Sequence, residues 1–189
     1  MALFKKKIEF PQFIADVMFN GFSIYDKNID EWMPMADEFK VLKQEDKEGL
    51  KKLGKSLVAA NVYFGSIFHF EGLVSPEDSE KVVAGLYGKY LREVKNLSEA
   101  EVEKEANSFG DLIEKSLDTD LKDIDGKKNQ FQFALCSAFA KMYAGEKNLS
   151  DEIVRGKNFA AFKLAKNLVK ADFMEIMLKE YKVNTEGKS

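Results

Sequence analysis

The chain is short of the residues that build the commonest reactive centres: one histidine, one cysteine and one tryptophan among 189 residues, with 3 prolines. A single thiol, Cys136, cannot close an internal disulfide, and the opening lacks the basic-then-apolar pattern of a secretory leader, so a reducing, cytoplasmic setting is expected. One histidine and one cysteine cannot assemble a structural zinc site within one chain. Di-iron bundles draw Glu-x-x-His pairs from two helices, whereas His69 is alone and Ser66 stands where the acid would be. No metal or cofactor is expected.

Charge of one sign is missing too. The chain carries 29 basic and 32 acidic residues, interleaved, for a net charge of -3, and no basic stripe marks a nucleic-acid binder. The longest uncharged stretch, SLVAANVYFGSIFHF (residues 56–70), falls short of the roughly 18 to 20 apolar residues of a membrane span and includes Ser, Asn, Gly and His. It reads as a buried helix. The opening MALFKKKIEF offers three lysines and a few apolar residues, a weak anchor for an anionic membrane.

What is present is a soluble composition, 45% hydrophobic and 32% charged, in a length that suits one domain. Apolar residues recur at helical spacing in every segment, and no pair of alternating runs is joined by a hairpin turn. The fold expected is all-α, a single-domain bundle over residues 1–181 with a frayed tail at 182–189.

Helix starts are the clearest signals. KNLSEAEVE and KNLSDEIV share a grammar: Ser98 and Ser150 at N-cap positions, carboxylates following, Glu101 completing a capping box with Ser98, and Leu97 with Val102 and Leu149 with Val154 at staple spacing. Ser75-Pro76 opens another helix with proline where its missing N–H costs nothing.

About six to seven helices follow: near Pro11 to Tyr25, Pro34 to Leu42, Asp46 to Phe70, Pro76 to Val94, Glu99 to Leu117, Lys127 to Ala144, and Asp151 to Tyr181 with a break near Gly156. The third and the sixth lack a polar face over much of their length, which makes them the two largely buried central helices.

One motif asks for nucleotide chemistry. GLKKLGKS, Gly49 to Ser56, matches the phosphate-binding G-x-x-x-x-G-K-[ST] letter for letter, but KQEDKE precedes it where a buried strand is required. Leu50, Leu53 and Leu57 continue one helical face. It reads as an amphipathic helical turn.

His69 as a general base would need a nucleophile and an orienting acid, and Ser66 lies in a helix interior instead of on an exposed elbow. DTDLKDIDGKKN resembles a calcium loop in the wrong register: with Asp123, Asp125 and Gly126 at the third, fifth and sixth places, Leu121 falls first and Gln132 last. A polar turn is expected there, and Cys136 among Ala and Phe is expected to be an inert buried thiol.

With no complete catalytic or metal set beside 16 Phe and 7 Met, the leading expectation is a non-catalytic protein acting by self-association or by binding a protein partner. Trp32, Met33 and Met35 are the candidate interface. The alternative is a bundle binding a small apolar molecule or lipid in a pocket between the third and sixth helices lined by Asn61, Phe64, His69, Phe133 and Phe139. A carboxylate enzyme assisted by His69 ranks third, and two carboxyl groups converging near that histidine would be its mark.

Overall fold

The computed structural model describes residues 5–121, 124–145, 150–170 and 172–186. Strand β1 (Lys6–Glu9) leads into α1 (Phe10–Ala36), then come α2 (Gln44–His69), α3 (Pro76–Glu93), α4 (Glu99–Leu117), α5 (Lys127–Ala144), α6 (Glu152–Val169), the short α7 (Phe173–Leu178) and β2 (Tyr181–Asn184). This is an all-α bundle with a minimal two-stranded sheet at one side. Among the described residues no helix is long and apolar enough to cross a membrane.

Helix α2 is the axis of the bundle and packs against all six other helices. Its residues 54–60 are buried without a break, so no polar face survives there. Helix α5 buries Ala134, Leu135, Cys136, Ala138, Phe139 and Ala140, and its most extensive partner is α6, which presents Ala160, Ala161 and Ala165. Side chains this small let two helix backbones approach closely, which replaces long interdigitating side chains by backbone-level contact. Helix α5 keeps a partly exposed N-terminal half around Phe133, as α2 does over residues 44–53, where only Leu50 is fully buried.

Capping follows the sequence at two starts. Asp78 donates its backbone N–H to the Ser75 hydroxyl at 3.0 Å, and the Ser98 N–H and hydroxyl donate to one Glu101 carboxylate oxygen at 2.9 and 2.7 Å. At α6 the cap is Asp151, not Ser150: its carboxylate accepts from the N–H groups of Ile153 at 2.8 Å and Val154 at 3.3 Å. The Leu149 half of the second staple lies outside the described residues.

Three expectations are corrected. No separate helix begins at Pro34: α1 runs through it to Ala36, and the backbone bond that proline cannot donate is offset by the burial of Ile29, Met33 and Ala36 beyond and before it. The segment 37–43 is instead a loop, fastened where the Asp37 carboxylate accepts from the N–H groups of Val41 (2.8 Å) and Leu42 (3.2 Å).

The last helix breaks after Val169, not near Gly156, whose missing side chain serves packing: a Cβ there would sit 2.9 Å from a Val41 methyl. Finally, residues 182–184 are not frayed. With Tyr181 they form β2, parallel to β1 in the register Lys6 with Tyr181 and Ile8 with Val183, and the Asn184 amide donates to Glu9 at 3.1 Å.

Candidate functional site

The octapeptide 49–56 lies wholly inside α2, so its backbone N–H groups are spent on the helix ladder and none is free to wrap a phosphate. Its landmark residues are engaged in packing. Gly54 leaves the space occupied by the Tyr25 hydroxyl, which donates to the Leu50 carbonyl at 3.1 Å, and Ser56 is buried with its hydroxyl 3.2 Å from that of Tyr87. Lys55 pairs with Asp26. Burial raises the Tyr25 hydroxyl pKa, and the neighbouring Asp26 charge adds to it.

His69 ends α2 beside the cap of α7. Its Nε2 lies 3.3 and 3.4 Å from the two carboxylate oxygens of Asp172, and Lys128 of α5 bridges Asp172 at 2.8 Å and Glu175 at 2.9 Å. Asp172 also accepts the Glu175 N–H at 2.8 Å, which makes it the N-cap of α7. Burial alone would raise its pKa, but the hydrogen bonds from His69, Lys128 and the Glu175 backbone outweigh it and hold the carboxyl well below the ordinary range. One carboxylate therefore gathers α2, α5 and α7.

The cleft against this cluster, walled by Asn61, Phe64, His69, Phe131, Asp172 and Phe173, encloses about 40 Å3. That holds a few waters, against the roughly 300 Å3 and upward of ordinary ligand pockets. Asn61, Phe64 and His69 line this one cleft, and the other two pocket candidates do not. Phe139 is buried in the core, and Phe133 lines a separate groove of about 430 Å3 between α5 and α6, with Phe162, Val169 and Lys166. Helical rotation explains the split: positions 133 and 139 lie about 600° apart along α5, which puts them on different faces.

Of the carboxylates, Asp172 meets His69 directly, whereas Glu175 meets only Lys128. The Ser66 hydroxyl, buried three residues before His69, donates instead to the Tyr63 carbonyl at 2.7 Å. No sequence signal pointed to Asp172 or Lys128, because each is a lone polar residue far from position 69 in the chain. Cys136 is buried, and desolvation pushes its thiol up to about 12 despite the opposing charge of Lys166. Among the described residues no group of three His, Cys, Asp or Glu side chains is placed to hold a metal, and Asp123 of the calcium-like turn lies outside them.

The residues proposed for an interface also separate. Met33 is buried in the core, Trp32 is packed partly against it, and only Met35 stands largely in solvent. The exposed apolar surface lies a few residues further on. Phe39 is 62% exposed, Ile153 57% and Phe159 39%, and with Val41 they surround a groove of about 490 Å3 between the 37–43 loop and the first turns of α6. The Phe39 and Phe159 rings meet edge to face, 5.4 Å apart. Glu152 and Arg155 stand on its rim, and Lys163 pairs with Glu38 on the same flank, so both signs of charge border the apolar centre.

No protein-family model matches the chain, and comparison with curated proteins and with solved structures finds no match.

Proposed function

We propose that the protein acts by association, with the Phe39–Ile153–Phe159 face meeting the same face on a second copy of the chain. The carrying observation is that three large apolar side chains, two of them more than half exposed, cluster around one groove with a mixed-sign rim. Scattered apolar residues are normal on a surface, whereas a contiguous set ringed by polar groups is the usual anatomy of an interface.

A rim carrying both Glu152 and Arg155 is self-complementary. Within one chain the two lie 3.9 Å apart, and a two-fold contact that brings position 152 of one copy to position 155 of the other does so twice, exchanging these partners across the seam. The ligand-binding alternative has less support at His69, where the cleft is small, and for the catalytic one no Ser or Cys lines that cleft among the described residues.

Sedimentation equilibrium of the wild type and of Ile153→Lys tests this. Ile153 is exposed in the first turn of α6, so the substitution leaves the fold intact, which circular dichroism checks. The wild type is expected to dimerise and the variant to dissociate with a Kd raised roughly 30-fold, the effect of losing a central anchor of about 2 kcal/mol. A monomer at every concentration, or a dimer indifferent to the substitution, overturns the proposal.

A further inference from the structure

Phe133, which stands apart from the His69 cleft, belongs to a groove of about 430 Å3 between α5 and α6, a volume in the range of small-molecule sites. Helical spacing builds it. Phe133 and Cys136 stand three residues apart on α5, while Phe162, Lys166 and Lys170 follow one another in steps of four along α6 and its C-cap.

The wall is graded along its length. The Phe133 and Phe162 rings meet edge to face, 5.8 Å apart, and Cys136 and Val169 line the groove as buried side chains. One turn beyond Phe162 the stripe on α6 changes to Lys166, and a turn later to Lys170, both exposed. Apolar surface gives way to positive charge over about 12 Å of helix.

These two cations have no acid beside them. Among the described residues no Asp or Glu lines the groove, and neither lysine makes an ion pair. Lys166 acts instead on the Cys136 thiol, drawing its pKa down against the larger opposing effect of burial, which places a positive charge close to the groove wall. The cleft between α2 and α4 differs, since Lys52 and Lys104 line it together with Glu101 and Glu105. So does the Phe39 groove, where Glu152 and Arg155 share the rim.

Lysine in a last helical turn complements the helix dipole, and that accounts for Lys166 taken alone. It does not account for an apolar groove leading up to two such residues.

We infer that this groove binds a single-chain amphiphile with an anionic head, as a free fatty acid is, its chain along Phe133 and Phe162 and its head at Lys166 and Lys170. An ammonium is a point charge that meets a carboxylate or a sulfate from many directions, so the groove selects an apolar chain joined to a negative charge and not the shape of the head. A membrane surface fits less well: segments that hold to anionic leaflets carry roughly four to eight basic residues, and this groove carries Lys166 and Lys170 only.

Isothermal titration calorimetry below the micelle threshold tests the inference. Decanoate is expected to bind saturably, decanol roughly tenfold more weakly, and decyltrimethylammonium and acetate not at all. Shortening the chain to octanoate and hexanoate is expected to weaken binding roughly twofold to fourfold per methylene, as burial of the chain in a partly open groove requires.

The double substitution Lys166→Gln and Lys170→Gln is expected to weaken decanoate roughly tenfold and to leave decanol unchanged, a difference that general loss of structure would not produce. Both lysines are exposed and unpaired, so the thermal midpoint of the variant is expected to stay near that of the wild type.

Photolysis of a diazirine-bearing decanoate then locates the site, with label expected on the α5 segment around Phe133. Absence of saturable binding, decanol equal to decanoate, indifference to chain length or decanoate binding unchanged in the double variant would each overturn the inference. So would label confined to the 37–43 loop, or flotation with phosphatidylserine vesicles in place of decanoate binding.

Discussion

Gly54 shows how one position can carry two opposed effects. In the middle of a helix, replacing glycine by alanine ordinarily adds up to about 1 kcal/mol of stability through backbone entropy. Here the added Cβ would fall 2.0 Å from the Tyr25 hydroxyl oxygen and 2.2 Å from the ring carbon that bears it. That ring is buried and its hydroxyl bonds the Leu50 and Lys51 carbonyls, so it cannot turn aside without leaving those partners unsatisfied.

Sterics should win. Gly54→Ala is expected to destabilise the protein by about 1 to 3 kcal/mol, read as a lower urea midpoint at unchanged slope. A midpoint at or above the wild type would mean that α1 and α2 can part without cost.

At the scale of elements, the short helix α7 is held by its cap. Six residues cannot sustain a helix on propensity alone, so α7 depends on its docking, through buried Phe173 and Met174 and through Asp172. The Asp172 carboxyl is held below its ordinary pKa in the fold; its stabilising effect is therefore complete above the unfolded value near 4 and is lost as pH falls toward the folded value.

Asp172→Asn keeps the shape and removes the charge that Lys128 meets at 2.8 Å. The variant is expected to melt below the wild type at pH 7, with the gap narrowing at pH 3 as the wild-type carboxyl begins to lose its advantage. A gap equal at both pH values, measured by thermal unfolding, would show that the charge contributes nothing to docking.

Which elements were legible follows from their physics. Helices α2 to α5 begin within a few residues of their expected starts because caps, apolar stripes and proline at a first turn are local signals, written within a few residues of one another. Helix α1 was cut short because Pro34 looks like a start in sequence, while the burial that carries a helix through it depends on neighbours that sequence does not reveal. Strands β1 and β2 were missed for a related reason: their partners lie at opposite ends of the chain, Lys6 with Tyr181, and a four-residue strand has no period of its own to announce it.

For the whole molecule, one hydrophobic cluster runs from Phe10 to Met174 and draws residues from all seven helices. With α2 touching every other helix, no part has a core of its own to retain when the rest opens. Unfolding in urea is therefore expected to be a single transition, with the fluorescence of the lone Trp32 on α1 and far-UV circular dichroism of all helices coinciding. Midpoints that separate would reveal a subdomain that opens by itself.

The sequence by itself determined the all-α class, the burial of α2 and α5 through the middle of the bundle and the helical nature of the P-loop-like stretch, since each rests on periodicity within a single segment. It also brought Asn61, Phe64 and His69 to one side of α2, where three to eight residues span one helical face.

Tertiary structure alone decided the rest. Asp172, at the cap of α7, meets His69 of α2 and Lys128 of α5; Phe39 comes beside Ile153 and Phe159 across more than a hundred residues; and Lys52 and Lys104, from α2 and α4, line one cleft. Local patterns fix which face of a helix is apolar, but the side chains of a site come from different helices, and only the packing of those helices determines which of them meet.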